Sequence, residues 1–120
     1  MRYAVSMLAF GRGAIRQVDV PRQVEAEVRG DVQNLLNAIY QYGQNDIQPV
    51  VGIPSVSCGD LIYLEDGYYL VASFGFRKIT LEQARALQTA QDIQTSKALR
   101  GFYDMFWRDL VAQIDKAEAK

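Results

Sequence analysis

A chain of 120 residues, 49% of them apolar and with a formal charge of −1, suits one domain with a substantial core. It lacks the charge that drives binding to DNA, RNA or acidic membranes, and no apolar run approaches the roughly 20 residues of a membrane span. Histidine is absent and Cys58 is the single cysteine, which excludes Ser–His and Cys–His nucleophile pairs, an intramolecular disulfide and a zinc site built from the usual donors.

The opening stretch, MRYAVSMLAFGRG, has too short an apolar run and breaks too early for a signal peptide. Arg2 to Phe10 reads as a strand, broken by Gly11-Arg12-Gly13. Ala14 to Val20 resumes it, with Arg16, Val18 and Val20 on one face and Ile15, Gln17 and Asp19 on the other. Residues 1–20 are thus expected to form a hairpin with a loop longer than two residues. Arg12 at its tip, with Arg16 and Arg22, is a candidate grip for a phosphate or carboxylate. The competing reading is a turn carrying solvated charges.

Pro21 ends the strand. Arg22 to Arg29 fits two patterns: Val24, Ala26 and Val28 alternate as in a strand, while Val24 and Val28 also have helical spacing. Over 31–43 the pattern is helical. Val32, Leu35, Leu36, Ile39 and Tyr42 share one face, Asp31 suits the N-cap, and Gly43 is placed as the residue following the C-cap. The polar stretch after Tyr42, with Gln44, Asn45 and Asp46, is a candidate recognition loop, or an ordinary turn. Val50 to Ile53 is expected to add a short strand.

Ser55 to Asp60 brings hydroxyls and a carboxylate to the start of the next strand. Ser57 and Asp60 are candidate site residues, or side chains that satisfy loose backbone groups. Over 60–79 a hairpin is expected, turning at Asp66-Gly67. That turn opposes Glu65 to Tyr68, Leu64 to Tyr69, Tyr63 to Leu70 and Ile62 to Val71. One face then carries Ile62, Leu64, Tyr69 and Val71, and the other Leu61, Tyr63, Leu70 and Ala72. Neither is polar, so both need cover. Gly75, between Phe74 and Phe76, marks a bend.

Thr80 with Gln83 has the capping-box spacing and starts a helical part over 81–117. Leu81, Ala84, Leu87, Ala90 and Ile93 form one apolar series and Leu99, Phe102, Phe106, Leu110 and Ile114 a second. The step from Ile93 to Leu99 rotates the face by about −120°, which predicts a break near Gln94-Ser96 and two helices. Tyr103, Phe106 and Trp107 exceed what one buried face holds and are candidates for an interface, whether with a partner or a second copy.

No spacing supports a metal or cofactor site. Asp31, Asp46 and Asp60 lack a calcium-loop ladder, no nucleotide fingerprint occurs, and no catalytic, cofactor-binding or metal-ligating residue is assigned. Nucleic-acid binding is the alternative reading, through Arg12, Arg16, Arg77 and Lys78 beside the sheet tyrosines.

Three stretches carry a resemblance: FGRGAIRQVDVP (Phe10–Pro21), YGQNDIQP (Tyr42–Pro49) and SVSCGDLIYLEDGYYLVASFGF (Ser55–Phe76). Together they resemble small proteins encoded by tailed bacteriophages and related mobile elements. The third is loosely similar to the YodL-like domain of such elements. The likeness implies no catalytic residue. It implies a phage accessory protein acting in the cytoplasm of a bacterial host, where its partner would be a host, defence or phage protein.

The expectation is a single α+β domain over 1–120. A mostly antiparallel sheet from two hairpins would be packed by one middle helix and two C-terminal helices. The chain would be a non-catalytic interaction protein that binds another protein or self-associates, without cofactor or membrane.

Overall fold

The computed structural model describes residues 1–10, 13–72 and 75–94. The first hairpin forms as expected. β1 (Arg2–Met7) pairs antiparallel with β2 (Ala14–Asp19), with Tyr3 opposite Val18 and Val5 opposite Arg16. β3 (Leu61–Leu64), β4 (Gly67–Val71) and β5 (Phe76–Ile79) follow as an antiparallel meander. β3 also pairs with β1, giving one five-stranded sheet in the order β2-β1-β3-β4-β5. The chain is therefore α+β with an all-antiparallel sheet. The expected 60–79 hairpin is three strands rather than two. Gly75, at φ +76°, lies in the second reversal, where the Ala72 N–H donates to the Gly75 carbonyl at 3.0 Å.

The turn between β3 and β4 forms one residue earlier than expected. Leu64 faces Gly67 instead of Tyr69, and Glu65-Asp66 makes the reversal. This setting places the Tyr63 and Tyr68 rings edge to face at 5.2 Å. It also lets the Asp66 carboxylate accept from the Tyr69 hydroxyl at 2.7 Å. The partner of Leu64 moves by two positions, and because side chains alternate with period two, each residue keeps its face.

Both faces are covered. On one, α2 (Val32–Tyr42) buries Leu36, Ala38 and Ile39 against Val5, Met7, Val18, Ile62, Tyr69 and Val71. Asp31 caps α2 by accepting from the Asn34 N–H at 3.1 Å, as its position predicts. Gly43 itself is the C-cap and takes φ −82°, so the left-handed conformation is not why glycine stands there. A Cβ on Gly43 would lie 2.5 Å from Cγ2 of buried Val56, and close packing is the reason. On the other face, α3 (Leu81–Gln94) sets Ala84 and Leu87 on Leu8, Leu61, Leu70 and Ile79. Thr80 and Gln83 complete the capping box, with N–H to side-chain distances of 2.9 and 3.1 Å.

Two segments differ from expectation or resolve it. Arg22–Glu27 is a one-and-a-half-turn helix, α1, so the helical spacing of Val24 and Val28 prevails over the alternation. Pro21 precedes it at φ −57°, preset for a helix start. Val50 to Ile53 is a turn and not a strand: the Ile53 N–H returns to the Val50 carbonyl, and Gly52 sits at φ +79°. The expected break after Gln94 and the aromatic C-terminal helix lie outside the described residues.

Candidate functional site

The loop residues singled out in the sequence meet in one hydrogen-bonded network between α2 and β3. Gln44 donates through Nε2 to the carbonyls of Tyr40 and Val56, at 2.8 and 3.0 Å. Asn45 uses both ends of its amide: Nδ2 donates to the Ile53 carbonyl at 2.9 Å, while Oδ1 accepts from the Val50 N–H and from Arg16. Ser55 Oγ accepts from the Asn45 N–H at 2.9 Å, and Ser57 Oγ donates to the Ser55 carbonyl at 3.1 Å. Tyr42 is half-buried against the α2 side of the core, and Asp46 is exposed.

Arg16 joins this network instead of offering a charge to solvent. Its side chain is 1% exposed and lies under the 44–55 loop. Nη1 donates to Asn45 Oδ1 at 2.8 Å and to the Pro54 carbonyl at 2.9 Å, and Nη2 donates to the Gln48 carbonyl. Burial lowers its pKa from the ordinary guanidinium value. A planar fork with several fixed N–H groups suits this role, because one side chain reaches three acceptors on separate parts of a loop.

Asp60 is the counterpart at the other end. Also 1% exposed, it accepts from the Ala9 N–H at 2.9 Å through Oδ1 and from the Ser57 N–H at 2.8 Å through Oδ2. It thereby ties the end of β1 to the 55–59 loop. Desolvation pushes its carboxyl up to about 6, against the opposing pull of the two N–H groups. Ser57 and Asp60 thus have no free hydroxyl–carboxylate pair to present. They hold backbone.

Among the described residues a concave surface lies elsewhere, between α1, the start of α2, β1 and the β3–β4 turn. This cleft of about 920 Å³ has Tyr3, Val28, Leu35 and Leu64 among its apolar walls. Arg22, Glu25, Arg29, Asp31, Glu65 and Asp66 supply charge around it. The Tyr3 hydroxyl donates to Glu25 Oε1 at 2.5 Å. Burial, followed by the hydrogen bond to Glu25 and then the charges of Glu25 and Glu65, raises the Tyr3 phenol to about 12, so it remains a donor at neutral pH. Of the residues around this cleft, sequence reasoning singled out Arg22 as part of an anion grip, but not the cleft itself. Tyr3 shows only the alternation of a strand, and Glu25 lay in the segment whose pattern was divided.

The cations of the nucleic-acid reading do not come together. Arg16 is buried on β2, at one edge of the sheet, while Arg77 and Lys78 lie on β5, at the other. Lys78 pairs with Asp66 at 3.4 Å, and an Arg77 N–H donates to the Phe76 carbonyl at 3.3 Å. Arg12, Tyr103, Phe106 and Trp107 lie outside the described residues. Among the described residues, no group of three or more acidic or cysteine side chains is placed to hold a metal ion, and no helix is long and apolar enough to cross a membrane. Searches against protein-family models, curated proteins and solved structures find no match to this chain.

Proposed function

We propose that this chain is a non-catalytic binding protein that acts by protein–protein interaction through the cleft between α1, α2 and the β3–β4 turn. The observation that carries this reading is how the polar side chains are used. Arg16, Gln44, Asn45, Ser57 and Asp60 all bond backbone groups, whereas the cleft combines apolar walls with a charged rim. That combination, an apolar centre bounded by polar groups, is how interfaces are built. The resemblance of three stretches to phage-encoded proteins suggests a host or phage protein in the bacterial cytoplasm as the partner.

Ala26 lines the cleft from the exposed side of α1, so Ala26→Trp fills it without entering the core. Tagged wild type and variant are compared for capture from bacterial lysate, alongside light scattering of the pure protein over a range of concentrations. A captured protein that is lost from Ala26→Trp, with unchanged thermal unfolding, supports the reading. Equal capture by both proteins removes the cleft from the interface. A wild-type dimer that becomes a monomer in the variant makes the partner a second copy.

A further inference from the structure

The sequence places Val32, Leu35, Leu36, Ile39 and Tyr42 on one apolar face of α2. The sheet covers only part of that face. Leu36 and Ile39 are fully buried, Leu35 is half-buried, and Val32 is 40% exposed. The uncovered end lines the cleft together with Val28 and Leu64. A contiguous apolar stripe left open in a concavity marks a contact surface, unlike apolar residues scattered singly.

The charges around the cleft divide into those already engaged and those that are not. Glu25 accepts from the Tyr3 hydroxyl, Asp31 caps α2, and Asp66 accepts from Tyr69 and Lys78. Among the described residues, no hydrogen bond or ion pair holds the side chains of Arg22, Arg29 or Glu65. Arg22, three residues before Glu25 on α1, has the spacing of a helical ion pair, but Glu25 is turned to Tyr3. Arg29 follows the end of the same helix, and Glu65 stands on the β3–β4 turn. Tyr3 lies between these two rims. Glu25 of α1 accepts its hydroxyl, and the charge of Glu65 acts on the same group. The unengaged charge is therefore positive on the α1 rim and negative on the turn rim, with apolar wall between them.

We infer that the cleft takes a segment of another protein that carries an apolar side chain between an acidic and a basic one, the acidic residue meeting Arg22 and Arg29 and the basic residue meeting Glu65. This rests on the reading of the chain as a protein that binds through this cleft, and adds the chemistry of its partner. Charges arranged in this way set the orientation of the partner and disfavour segments of a single sign. Arg22, expected from the sequence to grip an anion beside Arg12 and Arg16, does so with Arg29. Arg16 is buried within the fold.

The test titrates end-blocked synthetic peptides into the full chain and follows the Val28, Val32, Leu35 and Leu64 resonances by NMR. Each probe has two to four alternating leucines and alanines between an aspartate and a lysine, in both orders. Controls of equal length carry serine, aspartate or lysine at both ends. The best mixed-charge peptide should bind at low salt about threefold or more tightly than every control, and about 0.5 M salt should remove the advantage. Glu65→Lys should transfer the preference to the peptide with two aspartates, and Arg22→Glu with Arg29→Glu to the peptide with two lysines. All three positions are exposed, so thermal unfolding should stay close to that of the wild type. Serine-ended peptide that binds as tightly as the mixed one overturns the inference, as does any peptide set that leaves the cleft resonances unmoved. Either result combined with loss of partner capture in Ala26→Trp keeps the cleft as the interface and removes the charge pattern. Peptide-free protein that self-associates, and is made monomeric by Glu65→Lys, gives the cleft to a second copy and overturns the inference as well.

Discussion

Asp60 and Gly43 are single residues whose roles depend on one neighbour each. The Asp60 carboxyl ordinarily titrates near 3.8 and stands near 6 in the folded protein. Between those values the folded state holds more protons than the unfolded state, so stability falls as pH rises from about 4 to about 6 and then levels. The shift corresponds to a loss of up to about 3 kcal/mol. In Asp60→Asn that slope is absent, so in urea unfolding the wild type should lose up to that amount of stability relative to the variant as pH rises across this range. Parallel profiles would show that another group is responsible. At Gly43 a methyl would meet Val56 Cγ2 at 2.5 Å and the Ile39 carbonyl at 3.0 Å. Gly43→Ala should therefore cost about 1 to 3 kcal/mol. Val56→Ala in the same chain should cost less than it does alone, a coupling that a double-mutant cycle reads directly. The sequence marked Asp60 as turn chemistry and Gly43 as a helix end. It carried no sign of the burial that shifts the first or the contact that requires the second.

Among the elements, the helices were the most legible, because their signals are local. Asp31 and the Thr80–Gln83 pair cap α2 and α3 as their spacing predicts. Thr80→Ala should cost about 1 kcal/mol and raise amide exchange in the first turn of α3 ahead of the rest. Uniform exchange along α3 would mean that packing, not the cap, holds its start. The β3–β4 turn was placed one residue late because Asp-Gly is a strong local signal. The observed setting instead satisfies contacts beyond the turn: Tyr63 on Tyr68, and Asp66 with Tyr69 and Lys78. The 50–53 stretch reads as a strand from its valines and is a turn because Asn45 and Ser55 fold the loop back over Arg16.

For the molecule as a whole, the defining feature is a sheet with apolar cover on both sides, α2 on one and α3 on the other. Leu87, fully buried, is central to the second cover. Leu87→Ala should cost about 2 to 5 kcal/mol and loosen α3 from Leu61, Leu70 and Ile79. Association by light scattering should then appear at concentrations where the wild type shows none. A destabilised variant that stays at the wild-type mass would show that this face remains covered without tight packing of α3. The sequence by itself determined the alternating strands, the capped helices and the existence of two apolar sheet faces, because periodicity and capping act over a few residues. Only the tertiary structure decided what covers each face. It also decided that Arg16 serves the interior, that a cleft opens beside Tyr3, and that Gln48 closes part of the β2 edge. Each of those depends on residues about 20 or more positions apart in the chain, and no local pattern encodes which distant group a side chain will meet.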